Sequence, residues 1–381
     1  MIPSPYPHLW QSDIAAVEEF LFHPVNPFAP AKQTLAFEAA LAQYLDVREA
    51  VVVSSGTAAL HCALAALGIG PGDEVLVPAL SVVMSSVPLL YQQARPIFVD
   101  SAPDRVDFDY ADLERKLTDK TRAILPVYLW GCAYDMPRLM QFAEQQHLVV
   151  IEDACQAHGS AWAGKYLGTW GDIGCFSMRD GKLMATGEGG FVLTNHRKLA
   201  ERCRALRSHF VNGRDPVCSY QHLGYNYRLS EVQALIGHKQ LKHLDAILAH
   251  RHAQAVYLRN GLAAVQGVEP YHFAQDERPN WFSPLFVMDE DLARKEVAKR
   301  LARQGVHNSV GTFGLRPAQE WPVFQSGKGS SQTAPHARSF LSRTLALTLL
   351  SHYGPEELDT IIITINAVME ELRDEENRGR A

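Results

Sequence analysis

No basic block, no paired-cysteine motif and no unbroken greasy run occur in this 381-residue chain, and each absence removes a class of function. The formal charge is −6 at pH 7, with no local cluster of lysine and arginine to offset it, which argues against a nucleic-acid partner. The six cysteines (Cys62, Cys132, Cys155, Cys175, Cys203 and Cys218) are scattered and form no Cys-x-x-Cys pair. Neither a metal site nor a disulfide framework is expected, and a reducing cytoplasm suits them. The longest apolar stretch, residues 75–91, is interrupted by Pro78, Pro88 and several serines. It reads as strand, loop and helix rather than as a membrane span. The opening Met1-Ile-Pro-Ser-Pro-Tyr-Pro7 lacks the basic and apolar regions of a signal peptide. A soluble, cytoplasmic protein is therefore expected, without internal repeats or low-complexity tracts.

The chain does have enough length for a large core and a second, smaller domain. Its apolar fraction of 47% and charged fraction of 20% are ordinary for a globular protein. Strands are expected at 50–54, 74–78, 95–100, 122–128, 148–153, 172–178 and 190–194. Most are continuously apolar, as strands covered on both faces are. Helices at 58–68, 109–117 and 136–146 alternate with them, which predicts an α/β fold with a mainly parallel sheet. Apolar residues at helical spacing (Val232, Leu235, Ile236, Leu241, Leu244) predict one long helix over 230–262, suited to joining two domains. Beyond it lie a strand-like 283–288, a helix at 291–304, a loop at 327–335 and a closing helix at 355–372. The expected division is 1–245 for the large domain with its N-terminal segment, and 246–381 for the linking helix and a small α+β domain.

Three strings carry chemistry. Ser54-Ser-Gly-Thr-Ala-Ala-Leu60 follows a strand and opens a helix, so its free N–H groups and the hydroxyls of Ser55 and Thr57 make a phosphate seat, with Gly56 allowing close approach. An ordinary capped helix is the alternative. Asp153 ends the apolar run His147-Leu-Val-Val-Ile-Glu-Asp153, at the strand end where α/β sheets place ligands. It either holds a protonated ring nitrogen or caps the next helix. Lys182, in Phe176-Ser-Met-Arg-Asp-Gly-Lys182-Leu-Met184, is an amine beside apolar neighbours, a setting that favours its neutral, nucleophilic form. An amine able to form a Schiff base, together with a carboxylate for a basic ring nitrogen, points to pyridoxal 5′-phosphate and to carbonyl–amine chemistry. Ser177 is a second candidate phosphate ligand, and Gln156 a candidate contact to the cofactor's phenolic oxygen. His158 either stacks or orients Asp153, or is a satisfied core histidine, and Glu188 has mainly a structural role in its glycine turn.

Taken together, these segments resemble the DegT/DnrJ/EryC1/StrS sugar aminotransferases. The resemblance rests on Phe37-Glu38, Ala50 to Leu60, Gly70-Pro-Gly-Asp-Glu-Val75, Ile151 to Gly159, Gly164 to Asp172, Phe176 to Gly190 and Gly224-Tyr-Asn-Tyr-Arg-Leu-Ser-Glu231. It implies fold type I of the pyridoxal-phosphate enzymes, with a seven-stranded large domain and a small C-terminal α+β domain. It also implies that Lys182 carries the cofactor, Asp153 pairs with its pyridine nitrogen and Gln156 meets its ring oxygen. Gly56, Thr57 and Ser177 would bind the phosphate, with Asn226 reaching the phosphate of a second subunit in a homodimer that shares its active sites. The spelling around Lys182 looks closest to the 3-amino-5-hydroxybenzoate synthase branch, with cyclitol aminotransferases nearby. Two departures stand out: Val82 where the family usually stacks an aromatic on the ring, and Tyr128 and Trp130 where a histidine segment is common.

The expected activity is transfer of an amino group from L-glutamate or L-glutamine to a keto sugar or keto cyclitol, in amino-sugar, natural-product or surface-polysaccharide biosynthesis. A dehydrating, aromatising lyase on the same cofactor is the alternative, and a non-catalytic regulator is the third reading. Substrate contacts are expected from Tyr128, Trp130, Tyr225, Arg228, the loop after His209 and the N-terminal segment.

Overall fold

The computed structural model describes residues 11–22, 31–210, 222–288, 294–308, 314–325 and 333–380. All seven expected strands are present: β1 (Glu49–Val53), β2 (Glu74–Pro78), β3 (Arg95–Val99), β4 (Thr121–Ile124), β5 (Val149–Asp153), β6 (Ile173–Ser177) and β7 (Gly190–Thr194). They form one sheet in the order β1–β7–β6–β5–β4–β2–β3. Strands β3, β2, β4, β5 and β6 run parallel, whereas β7 is antiparallel to both of its neighbours.

The apolar runs follow from cover on both faces. Side chains alternate along a strand, so Val51 and Val53 pack with helix Gly56–Leu67 on one side. Val52 points the other way, to Phe37 and Leu41 of helix Lys32–Tyr44. Buried Glu38 on that helix accepts the Val52 N–H at 3.0 Å and pairs with Arg207 at 2.6 Å, tying helix to sheet.

Two expectations need correction. The strand expected at 122–128 stops at Ile124, because Pro126 has no N–H to give the ladder. Pairing resumes only as an isolated Val127–Asp153 bridge. The single helix expected over 230–262 is two helices, Glu231–Lys242 and Leu244–Leu262. The break is at His243, whose Nε2 lies 3.0 Å from Oδ2 of buried Asp13 on helix Gln11–Phe22. A side chain anchored to a third element sets that break, and apolar spacing does not report it.

Downstream, β8 (Val268–Pro270), β9 (Leu285–Met288) and β10 (Thr344–Ala346) form an antiparallel sheet. It packs with helices Leu244–Leu262 and Pro355–Arg380 around Leu258, Phe286 and Ile365. Of the helix expected at 291–304, the described part is Arg294–Arg303, residues 291–293 lying outside the described residues, and the closing helix runs past 372 to Arg380. A second small sheet joins Ala161–Trp162 to Lys165–Tyr166 and to Glu277–Arg278, bringing residues 277–282 against the segment after β5. The first ten residues, Cys218, the segment 211–221 after His209, and residues 327–332 of the expected loop lie outside the described residues.

Candidate active site

Parallel strands leave their carboxyl ends on one edge, and there Asp153 ends β5 and Ser177 ends β6. Both face a cavity of about 440 Å³ that is also lined by Ser55, Gly56, Thr57, Val82, Gln156 and Lys182. Residues far apart in sequence thus meet because neighbouring strands end together.

Each side chain has a local cause. Ser55 is the N-cap of helix Gly56–Leu67, and its Oγ accepts from the Ala58 N–H at 3.0 Å. Its oxygen is therefore used as a cap for Ala58, which leaves the Gly56 and Thr57 N–H groups at the cavity wall without an acceptor inside the helix. At Gly56 a Cβ would lie 2.7 Å from Ser177 Cβ and 2.8 Å from Cys155 Sγ, so only glycine brings the helix start this close to β6. Asp153 is 4% exposed and accepts the Cys155 N–H at 3.1 Å across a turn; no helix comes next for it to cap. The Gln156 Oε1 accepts the Trp130 N–H at 2.7 Å, which fixes the amide so that its NH₂ is the donating end.

Lys182 sits between β6 and β7, where the N–H of Met178 donates to Gly189 O and that of Thr186 donates to Met178 O. Leu183 and Met184 beside it are buried. Burial lowers the amine's pKa below the ordinary lysine value; Cys155 and Asp153 oppose this, and Arg179 adds to it. Its Nζ lies 4.8 Å from the centre of the Phe282 ring, a contact that nothing in the local sequence announces.

Several expected contacts sit elsewhere. Trp130 is 2% exposed and packs edge-on to Phe340 rather than lining the cavity. Its backbone is left-handed (φ 61°), which turns the indole inward. Tyr128 borders the cavity, yet its hydroxyl donates to Glu152 Oε2 at 2.5 Å, pointing into the core. Tyr225 stacks on His61 at 4.5 Å and accepts from Gln92 Nε2 at 3.0 Å, outside this chain's cavity. Asn226 and Arg228 are exposed and also outside it. His158 neither orients Asp153 nor is satisfied. Its ring meets Phe176 and Phe191 edge-on, both nitrogens lack a hydrogen-bond partner among the described residues, and burial pushes its pKa down to about 3. Glu188, expected to have mainly a structural role in its turn, also lines the cavity, as do Cys155, Arg179 and Ser85.

Behind Asp153, Glu152 points to the opposite side of the sheet. Its Oε1 accepts from the N–H groups of Trp170 (2.8 Å) and Gly171 (2.7 Å), and its Oε2 from Gly168 N–H (2.7 Å) and Tyr128. Burial raises its pKa while these four donors hold the carboxylate. Glu152→Gln puts an NH₂ against at least one of them, leaving a buried donor unmatched. A loss of about 1–3 kcal/mol of stability is expected, read by urea unfolding; an unchanged midpoint would refute the anchoring role.

This arrangement is a half-buried lysine near a carboxylate, beside a helix N-terminus ready for an anion. A family model for the DegT/DnrJ/EryC1/StrS aminotransferases matches residues 11–366. The chain belongs to that family. Its members work with pyridoxal 5′-phosphate, and so does this aminotransferase. Over 277 residues it is 39% identical to a GDP-perosamine synthase of Caulobacter vibrioides, covering 71% of this chain and 74% of that one. It is 35% identical over 317 residues to the dTDP-3-amino-3,4,6-trideoxy-alpha-D-glucose transaminase of Streptomyces venezuelae, covering 83% and 82%. The solved structure of S. venezuelae DesV with a ketimine intermediate superposes with a TM-score of 0.84 at 32% identity, covering 94% of each chain. No helix among the described residues is long and apolar enough to cross a membrane.

Proposed function

We propose that this aminotransferase moves the amino group of L-glutamate or L-glutamine onto the ketone carbon of a nucleotide-linked sugar. The observation that carries the reading is one cavity walled by Lys182, Asp153 and the Ser55–Thr57 helix start. The GDP- and dTDP-linked names of the two relatives support the nucleotide-linked acceptor.

The residues present fit pyridoxal phosphate. Gly56 leaves a cradle that a Cβ would fill, and the buried Ser85 Oγ on the cavity wall has no hydrogen-bond partner among the described residues. When bound, the cofactor supplies an electron-accepting ring that lets a proton leave the carbon bearing the nitrogen. Lys182, attacking as a neutral amine, would hold the cofactor covalently and, once displaced, would carry that proton between carbons. Asp153 would keep the ring nitrogen protonated. The Gln156 amide would serve the ring oxygen, and Gly56, Thr57 and Ser177 would take the phosphate. Asn226, exposed on this chain, would reach the site of a second copy, with Tyr225 and Arg228 beside it. A cytoplasmic homodimer, each chain with a large domain over 1–245 and a linking helix and small domain over 246–381, completes the reading; the five described cysteines are free, in keeping with a reducing compartment.

A half-reaction screen tests this. Glutamate or glutamine should bleach the visible band, and GDP- or dTDP-linked keto sugars should restore it better than free keto cyclitols. Bleaching by no donor, or water loss without amino transfer, would sink the proposal. Val82, half-buried at the N-cap of helix Val83–Tyr91, gives a further check. Val82→Phe adds an aromatic face worth about 0.5–1.5 kcal/mol, so cofactor affinity should rise roughly two- to tenfold in a fluorescence titration. Unchanged or weaker binding would show that Val82 does not face the ring.

A further inference from the structure

A short strip, Asn280 to Phe282, reaches the site from the far end of the chain. Asn280 is 2% exposed, and its Nδ2 donates to the carbonyls of Gln156 (2.9 Å) and His158 (3.0 Å). Its Oδ1 accepts the Phe282 N–H at 3.0 Å, and its own N–H donates to Ser160 Oγ at 3.0 Å. Gly131 (φ 86°) makes the room: a Cβ there would lie 2.0 Å from Asn280 Oδ1. Two carbonyls of the segment following Asp153 are therefore bolted to the strip that carries Phe282. The Phe282 ring face then lies 4.8 Å from Lys182 Nζ.

The geometry points to Phe282 as the resting face for the Lys182 ε-ammonium whenever that amine is not bonded to the cofactor, with Asn280 as the residue that positions the ring. This rests on the reading of Lys182 as the reactive amine. A lysine that is displaced and must return needs a seat that keeps it near the reacting carbon. It also needs its charge stabilised in a dry pocket. A ring face does both without a directional bond that must break before the amine can move. Other groups act on the amine as well. Asp153 and Cys155 favour its protonated form, and Arg179 opposes it. His158 opposes it when charged, but burial keeps that imidazole neutral, and Glu188 stands on the cavity wall.

The test is competitive acetylation of the cofactor-free full chain across pH, with the Lys182 peptide quantified by mass spectrometry. Phe282→Leu keeps apolar cover but removes the π-face, so the midpoint for Lys182 should fall by roughly half to one pH unit. Phe282→Trp, with the stronger face, should raise it. Asn280→Ala should act as Phe282→Leu does by releasing the ring; if that variant does not fold, the Phe282 pair decides alone. A midpoint unmoved or raised in Phe282→Leu would overturn the inference, since the ring would then be apolar cover only. The two readings fail separately. A wild-type chain that binds no cofactor ends the proposed reaction yet leaves this midpoint measurable, whereas an active enzyme with an unmoved midpoint ends only the role of Phe282.

Discussion

Lys182→Ala is expected to lose amino transfer by about 10⁴-fold or more, because one side chain is asked both to hold the cofactor and to carry the proton. The variant should still fold. Lys182 lies in the turn between β6 and β7, and its half-buried side chain makes no hydrogen bond to the sheet among the described residues. Its cavity wall, from the Ser55 cap to the Asp153 turn, does not depend on it. Cofactor affinity should therefore weaken without vanishing, since the phosphate seat remains. Borohydride reduction of the loaded wild-type protein should fix the cofactor to the peptide containing Lys182, and the alanine variant should take up no label there. Lys182→Arg separates charge from nucleophilicity: it keeps a cation near Asp153 but offers no neutral amine, and it should be as inactive as alanine. Activity above about one hundredth of wild type in either variant, or a label on another lysine, would sink the assignment.

The parts of this site that are legible in the sequence are the local ones. Ser55 to Thr57, Asp153 and Ser177 each sit at the end of an apolar run, and parallel strands carry such ends to a common edge without further information. Gln156 and Lys182 come within a few residues of those ends. What the sequence hides depends on side-chain direction or on long-range closure. Trp130 looks like a site residue by position but does not line this chain's cavity, while Tyr128 lines it with its hydroxyl turned away. Pro126 breaks the strand before them, and the left-handed turn at Trp130 sends the indole into the core, while Glu152 takes the Tyr128 hydroxyl. Phe282 and Asn280 reach Lys182 through a small sheet made from strands of two residues, too short to leave a periodic pattern. The direction of β7 is equally hidden, since a fully buried strand reads the same whether its neighbours run with it or against it. The break at His243 needed Asp13, on a helix from the other end of the chain.

Asp153→Asn should cost roughly 10²–10³-fold in kcat/KM while leaving the fold and the shape of the cavity intact. The amide keeps an oxygen for the Cys155 N–H, so the turn after β5 is preserved. What it loses is the negative charge that holds a proton on the ring nitrogen, since an opposite charge at contact distance favours the protonated base. That fixes the sign of the pH effect. Without the carboxylate that proton leaves more readily, so the variant should recover part of its deficit as pH falls and lose more as pH rises, relative to wild type at each pH. Asp153→Glu retains the charge but lengthens the arm in a site where the native side chain is 4% exposed, so it should fall between the two with a pH profile parallel to wild type. Measuring kcat/KM for the donor half-reaction from pH 6 to about 9 distinguishes these cases. An asparagine variant within about tenfold of wild type, or one whose deficit is the same at every pH, would mean that Asp153 shapes the turn and does not hold the ring proton.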